Sequence, residues 1–260
     1  MNGTLLTAIG FASIFIATTL GSALVFFFNK EIKKGVNAVL IGFAAGIMIA
    51  ASIWSLLIPS IEGASDYGSL KFLPAVSGFI FGGVFLVLSD RIVPHFCTEQ
   101  LDGEKKKEFN KLTKMFIAIT VHNVPEGLAV GFAFGAAAVA GTTEAFFSAL
   151  GLAIGIAIQN FPEGAAVSFP LKAATGKTGK SFFFGSLSGA VEPVAAVIGY
   201  YLASYLTVIQ PWLLSFAAGA MIFVVAEDLI PDASACGTHT GAWGVIIGFA
   251  VMMALDVALG

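Results

Sequence analysis

His122, Asn123, Pro125, Glu126 and Gly127 lie inside an apolar segment long enough to cross a membrane. Nearly the same set recurs in the following segment as Gln159, Asn160, Pro162, Glu163 and Gly164. The match continues through Ala129/Ala166, Val130/Val167 and Phe132/Phe169. On a helix, residues four apart share a face and the next residue lies beside it, so His122, Asn123 and Glu126 converge on one rim. A carboxylate in hydrocarbon costs at least about 2.5–3.5 kcal/mol on insertion scales. A third one, Glu192, sits beside Pro193 in a later apolar segment, and no lysine or arginine lies at matching depth in any of them. Three such groups cannot stay ionised together unless protons or bound cations balance them. Two of these helices facing each other would gather carboxylates, amides and an imidazole around one point, the donor set of a cation site within a membrane.

The candidate ligands are His122, Asn123, Glu126, Gln159, Asn160, Glu163 and Glu192, with the thioether of Met48 as a possible addition. Imidazole suits Zn, Fe, Ni and Cu, and carboxylate and amide oxygens extend the range to Mn and Cd. A mixed set without thiolate suits a metal that must bind and then leave. Pro125 cannot donate to the carbonyl of Val121, nor Pro162 to that of Ile158, so a kink with a freed carbonyl is expected at each. Plainer roles stand beside these. His122 and Glu126 could form a proton relay without metal, and Glu192 could be a gating carboxylate. The amides could be interhelical hydrogen-bond donors, and Met48 and Met221 could be packing.

Such residues need membrane helices to position them. The chain has 260 residues, is 57% hydrophobic and only 11% charged, with a mean hydropathy of +0.92. Soluble domains are about 25% charged, so an all-α polytopic membrane protein is expected, with no separate soluble domain and no nucleic-acid partner. Two cysteines give no disulfide framework. A crossing helix needs about 20 apolar residues, and that rule predicts eight spans: 4–28, 35–60, 71–94, 112–137, 145–170, 181–206, 210–231 and 240–259. The first is too long for a signal-peptide core and reads as a retained span. At 1.5 Å per residue His122 lies about 15 Å into span 4; Glu163 and Glu192 also fall near the midplane.

Of the 13 basic residues all but Lys71 fall in or beside the loops joining spans 1–2, 3–4 and 5–6. The positive-inside rule places those loops in the cytoplasm and both termini outside it. A second repeat relates spans 1–3 to spans 6–8. Phe43-Ala44-Ala45-Gly46 and Leu57-Ile58-Pro59 in span 2 match Phe216-Ala217-Ala218-Gly219 and Leu229-Ile230-Pro231 in span 7. Gly78, Gly82 and Asp90 in span 3 match Gly244, Gly248 and Asp256 in span 8. Units with an odd number of spans must be inverted relative to each other, so three-helix units 1–94 and 181–260 are expected to flank central helices 112–170 in one domain covering 1–260. Acidic residues mark both mouths of a transport path: Glu62, Asp66 and Asp256 outside, and Asp90, Glu227, Asp228 and Asp232 on the cytoplasmic side. His95 with Cys97, and Cys236 with His239, complete no ligand set and read as surface positions.

With its H-N-x-P-E-G and Q-N-x-P-E-G pair and eight spans, the chain resembles the ZIP (Zrt/Irt-like) divalent metal transporters, in their GufA-like bacterial branch. The resemblance implies uptake of Zn²⁺, and also of Cd²⁺, Fe²⁺ or Mn²⁺, through a binuclear centre held by the candidate ligands named above. It implies a homodimer in the inner (plasma) membrane, and a transport bundle of spans 1, 4, 5 and 6 against spans 2, 3, 7 and 8. Gln159 stands where many members have His, and Asn160 where some related chains have Asp. Ala226-Glu227 stands where related chains can carry His-Glu. Two other readings remain open at this point. A cation/calcium exchanger would use oxygen ligands alone, against which His122 argues. An intramembrane metal-dependent hydrolase, with Glu126 as general base, would need a fixed three-ligand metal, and no H-E-x-x-H motif is present.

Overall fold

The computed structural model describes residues 2–28, 33–97, 104–235, 237 and 239–259. Within them the elements are helical, and eight helices have apolar stretches long enough to cross a membrane. They are α1 (Gly3–Phe26), α2 (Lys34–Gly63), α3 (Phe72–Cys97), α4 (Glu104–Ala140), α5 (Thr143–Thr175), α6 (Thr178–Tyr205), α7 (Thr207–Ser234) and α8 (Thr240–Leu259). The chain is thus an all-α polytopic membrane protein, as composition and periodicity predict. Cys236 lies outside the described residues, as do the side chains of Asp90, His95 and Cys97.

Several helices pass through prolines expected to bend or end them. α4 continues through Pro125, and α5 through Pro162 and Pro170, without interruption. In α2 and α7 the backbone widens into π-helical pitch over Ser52–Leu57 and Val225–Leu229, just before Pro59 and Pro231. A proline lacks the N–H that would bond the carbonyl four residues back, and a π-turn re-routes the ladder around that gap. Both helices therefore run past the expected ends at 60 and 231, to Gly63 and Ser234. α6 does break. Its first half ends at Gly189, Ala190 bonds back to the Leu187 carbonyl, and a second half begins at Val191. Pro193 removes the N–H that would have bonded Gly189.

Packing is strongest in four pairs: α2 with α8, α3 with α7, α1 with α5, and α4 with the second half of α6. Glycines set the first two. A methyl group on Gly82 of α3 would collide with the Phe216 carbonyl of α7, and one on Gly248 of α8 with the Phe43 carbonyl of α2. Gly46 meets the Val245 carbonyl, and Gly219 the Phe79 carbonyl, in the same two seams. Without a hydrophobic drive between helices in lipid, such close backbone approach supplies the van der Waals contact that holds them. The other two pairs meet on the site side, where Gly127 faces the Glu192 carbonyl and Gly164 the Thr18 carbonyl. The pairs α1/α5 and α4/α6 join through α4 against α5, and they meet the remaining helices where α4 faces α7 and α5 faces α2 and α8.

Gly82→Val or Gly248→Val should each destabilise the fold by at least the roughly 1–3 kcal/mol typical of overpacking. The thermal midpoint of detergent-purified protein should fall in both and stay put in Gly179→Ala, where an added methyl meets nothing within 4 Å. An unchanged midpoint in the valine variants would remove the glycine seams as the basis of helix pairing.

Candidate metal centre

α4 and α5 bring their matched motifs face to face, so that residues distant in chain order share one buried region. Asn123, Gln159, Asn160 and Glu192 are at most 1% exposed, and Glu126 is 2% exposed. Glu126 and Glu163 line one cavity, and Glu192 is hydrogen-bonded to the asparagines of both motifs. Beside this region is a cavity of about 540 Å³. At its inner end it is lined by Met48 of α2, His122 and Glu126 of α4, and Gln159 and Glu163 of α5. It reaches Lys34 at the start of α2 and Asp232 near the end of α7. The cavity thus joins the middle of the membrane to the face that carries the basic loops.

The site has two layers. The cavity wall is one. Behind it, Glu192 accepts hydrogen bonds at Oε1 from Thr18 Oγ1 (3.2 Å) and from Asn123 Nδ2 (3.2 Å), and at Oε2 from Asn160 Nδ2. Asn123 Nδ2 also donates to the Ser188 carbonyl at 3.1 Å, and Asn160 Nδ2 to the Ile14 carbonyl at 3.4 Å. Glu192, Asn123 and Asn160 do not line the cavity, whereas the other predicted ligands do.

Several buried polar atoms at the site find no partner among the described residues: Asn123 Oδ1, Asn160 Oδ1, Glu126 Oε2, and both Gln159 polar atoms. Most are acceptors. Buried acceptors are costly unless something donates to or coordinates them, and a cation satisfies several oxygens at once. Among the described residues no three His, Cys, Asp or Glu side chains gather closely enough to hold a metal by themselves. The donors on the cavity wall are mixed, with carboxylates from Glu126 and Glu163, the Gln159 amide, the His122 imidazole and the Met48 thioether. Zinc accepts nitrogen, oxygen and sulfur ligands, and this set fits it.

Asp228 was expected at the mouth, but the structure brings it to the site: its Oδ2 lies 3.6 Å from His122 Nε2, linking α7 to α4. Asp232, one turn on, lines the cavity, while Glu227 is exposed and does not. Glu62 and Asp66 are exposed at and beyond the end of α2. Asp256 instead accepts a hydrogen bond from Ser55 Oγ at 2.6 Å, joining α8 to the π-turn of α2. Met48 is buried on the cavity wall, and Met221 is buried away from it. Sequence reasoning missed Thr18. Its signal is positional rather than chemical: Gly164 packs on its carbonyl as Gly127 packs on that of Glu192.

Eight apolar helices around a buried, mixed-donor, cavity-connected site define a multi-pass membrane protein built to handle cations. Residues 113–256 match the family model described as ZIP zinc transporter. The chain is 38% identical to the zinc transporter ZIP11 of Xenopus tropicalis, with 94% of each chain covered. It is 32% identical to the zinc transporter GufA of Myxococcus xanthus, covering 96% of this chain and 98% of that one. It is 36% identical to the zinc transporter ZIPB of Bordetella bronchiseptica, covering 97% and 81%. The chain belongs to the ZIP zinc transporter family. Membership makes it a transport protein rather than an enzyme, and sets aside the exchanger and hydrolase readings.

The cavity can be mapped by single cysteines in a background with Cys97 and Cys236 replaced by Ser. Asn37→Cys and Ala166→Cys, on the cavity wall, should react with a membrane-impermeant thiol reagent applied from the face carrying the basic loops. Ala196→Cys, fully buried in α6, should not. Labelling of the two wall positions only from the opposite face would overturn this geometry.

Proposed function

We propose that this chain carries Zn²⁺ into the cytoplasm by alternating access, holding the ion at Glu126, Glu163, Gln159 and His122 beside Met48. The observation that carries the proposal is the cavity that joins these donors, deep in the membrane, to the face bearing the basic loops. The positive-inside rule makes that face cytoplasmic, with both termini outside, in the inner (plasma) membrane. The cavity then corresponds to a conformation open to the cytoplasm. The zinc-transporter relatives and the mixed donor set support zinc as cargo. The same donors accept Cd²⁺, Fe²⁺ and Mn²⁺, which we include as competing cargo.

In this reading metal enters from outside, sheds water onto the carboxylates, and leaves past Asp228 and Asp232 when the two helix groups shift relative to each other. Asp228 takes His122 as its partner while the inward path is open. The matched seams of α2/α8 and α7/α3 support the reading of 1–94 and 181–260 as inverted units. We also propose that the chain works as a homodimer, as the resemblance implies.

Zinc uptake into proteoliposomes tests the site. Outer-shell partners of a metal typically cost 10–100-fold when removed, so the double variant Glu126→Ala/Glu163→Ala should lose at least about that much of the initial rate. His122→Ala should also slow uptake, and Cd²⁺ should compete with Zn²⁺ in the wild type. Undiminished uptake in the double variant would sink the assignment.

A further inference from the structure

We propose that Glu192 does not hold the transported ion: with Thr18, Asn123 and Asn160 it forms a hydrogen-bonded strut behind a single metal position, so each chain binds one ion at a time. This rests on the cavity site proposed above, and departs from the binuclear centre that the family resemblance implies.

Both oxygens of Glu192 are already engaged. Oε1 accepts from Asn123 and lies within reach of the Thr18 hydroxyl, whose one proton is shared with the Ile14 carbonyl, and Oε2 accepts from Asn160. These contacts come from α1, α4 and α5, and Glu192 itself sits on α6. Four helices thus meet on one carboxylate that is 0% exposed and absent from the cavity wall. The two asparagines turn their N–H₂ edges toward Glu192. A cation placed between them and Glu192 would face donor hydrogens rather than oxygens. Their Oδ1 atoms find no hydrogen-bond partner among the described residues.

A buried carboxylate must still be balanced. Glu192 lies in the first turn of the half-helix that begins at Val191. The unpaired N–H groups of a helix start favour an anion, and the side-chain donors add to them. Charged acceptors make the stronger hydrogen bonds. The asparagine amides and the Thr18 hydroxyl therefore offset part of the cost of burying Glu192 without a metal. Glu126 and Glu163 line the cavity, and Glu126 Oε2 finds no partner among the described residues. The structure divides the three midplane carboxylates into two that meet cargo and one that braces the helices carrying them.

The zinc-to-chain ratio tests this. Full-length protein in lipid nanodiscs would be equilibrated with Zn²⁺, separated from free ion and analysed by inductively coupled plasma mass spectrometry. One zinc per chain is expected for the wild type. Glu192→Gln should still bind one, with affinity about 10–100-fold weaker, as for a group that acts behind the ligands. Thr18→Val removes one donor but no charge; it should also bind one zinc, and serves if Glu192→Gln fails to fold. Asn160→Asp replaces the donor with a second carboxylate beside Glu192 and should raise the ratio toward two. Two zinc ions per wild-type chain, with one lost in Glu192→Gln, would overturn the strut. An Asn160→Asp ratio that stays at one would remove Asn160 from it. Zinc binding undiminished in Glu126→Ala/Glu163→Ala would instead overturn the cavity site itself, leaving the two failures distinguishable.

Discussion

Three carboxylates gathered inside a membrane protein constrain everything else in this molecule. In lipid their charge cannot be left to solvent. Each must be met by a proton, a cation or a set of oriented dipoles, and the fold supplies different answers at different positions. Glu192 is met by dipoles, at a helix break that exists because Pro193 follows it. Glu126 and Glu163 open onto a cavity. The same residue type at the same depth acquires two roles from its immediate donors.

Positioning these groups requires helices held to within a fraction of an ångström, and the means is small residues rather than greasy ones. Gly127 and Gly164 let α6 and α1 approach the motif helices until backbone touches backbone. A larger residue at either place would push Glu192 or Thr18 out of reach of the asparagines. The stability of the seams and the geometry of the site are therefore one problem, solved by the same glycines.

Much of this was legible from the sequence, and what was not has physical causes. The eight spans follow from apolar length alone, and the repeated Pro-Glu motifs announce the site because carboxylates are so costly in hydrocarbon. Phe43-Ala44-Ala45-Gly46 recurs in α7 as Phe216-Ala217-Ala218-Gly219, and Gly46 and Gly219 each meet a backbone carbonyl of the neighbouring helix. Two helices run three residues past the apolar stretches that marked their ends at 60 and 231, and π-turns precede the prolines there. Pro125 and Pro162, where kinks were expected, lie within continuous helices. Thr18 was invisible because a lone threonine in an apolar helix carries no chemical signature; only its partner across the bundle gives it meaning. Asp228 was expected at the mouth because helix register alone does not say how deeply the end of α7 lies against α4.

The division between a braced layer and an open one also suggests how a rigid site can move its cargo. Thr18, Asn123, Asn160 and Glu192 bind α1, α4, α5 and α6 to one another through charge-assisted hydrogen bonds with no solvent to replace them. Breaking that layer would strand a carboxylate in lipid, so these four helices should move as a unit. The boundary with α2, α3, α7 and α8 is different in kind. At the site it is crossed by the His122–Asp228 contact, 3.6 Å long and with Asp228 partly exposed. A 3.6 Å contact to a partly exposed carboxylate is a weak, replaceable tie. An ion that takes His122 as a ligand competes with Asp228 for it, so binding the cargo itself loosens the link between the two groups. In this architecture the strong interactions fix the ligands relative to one another, and the weak ones lie where motion must occur.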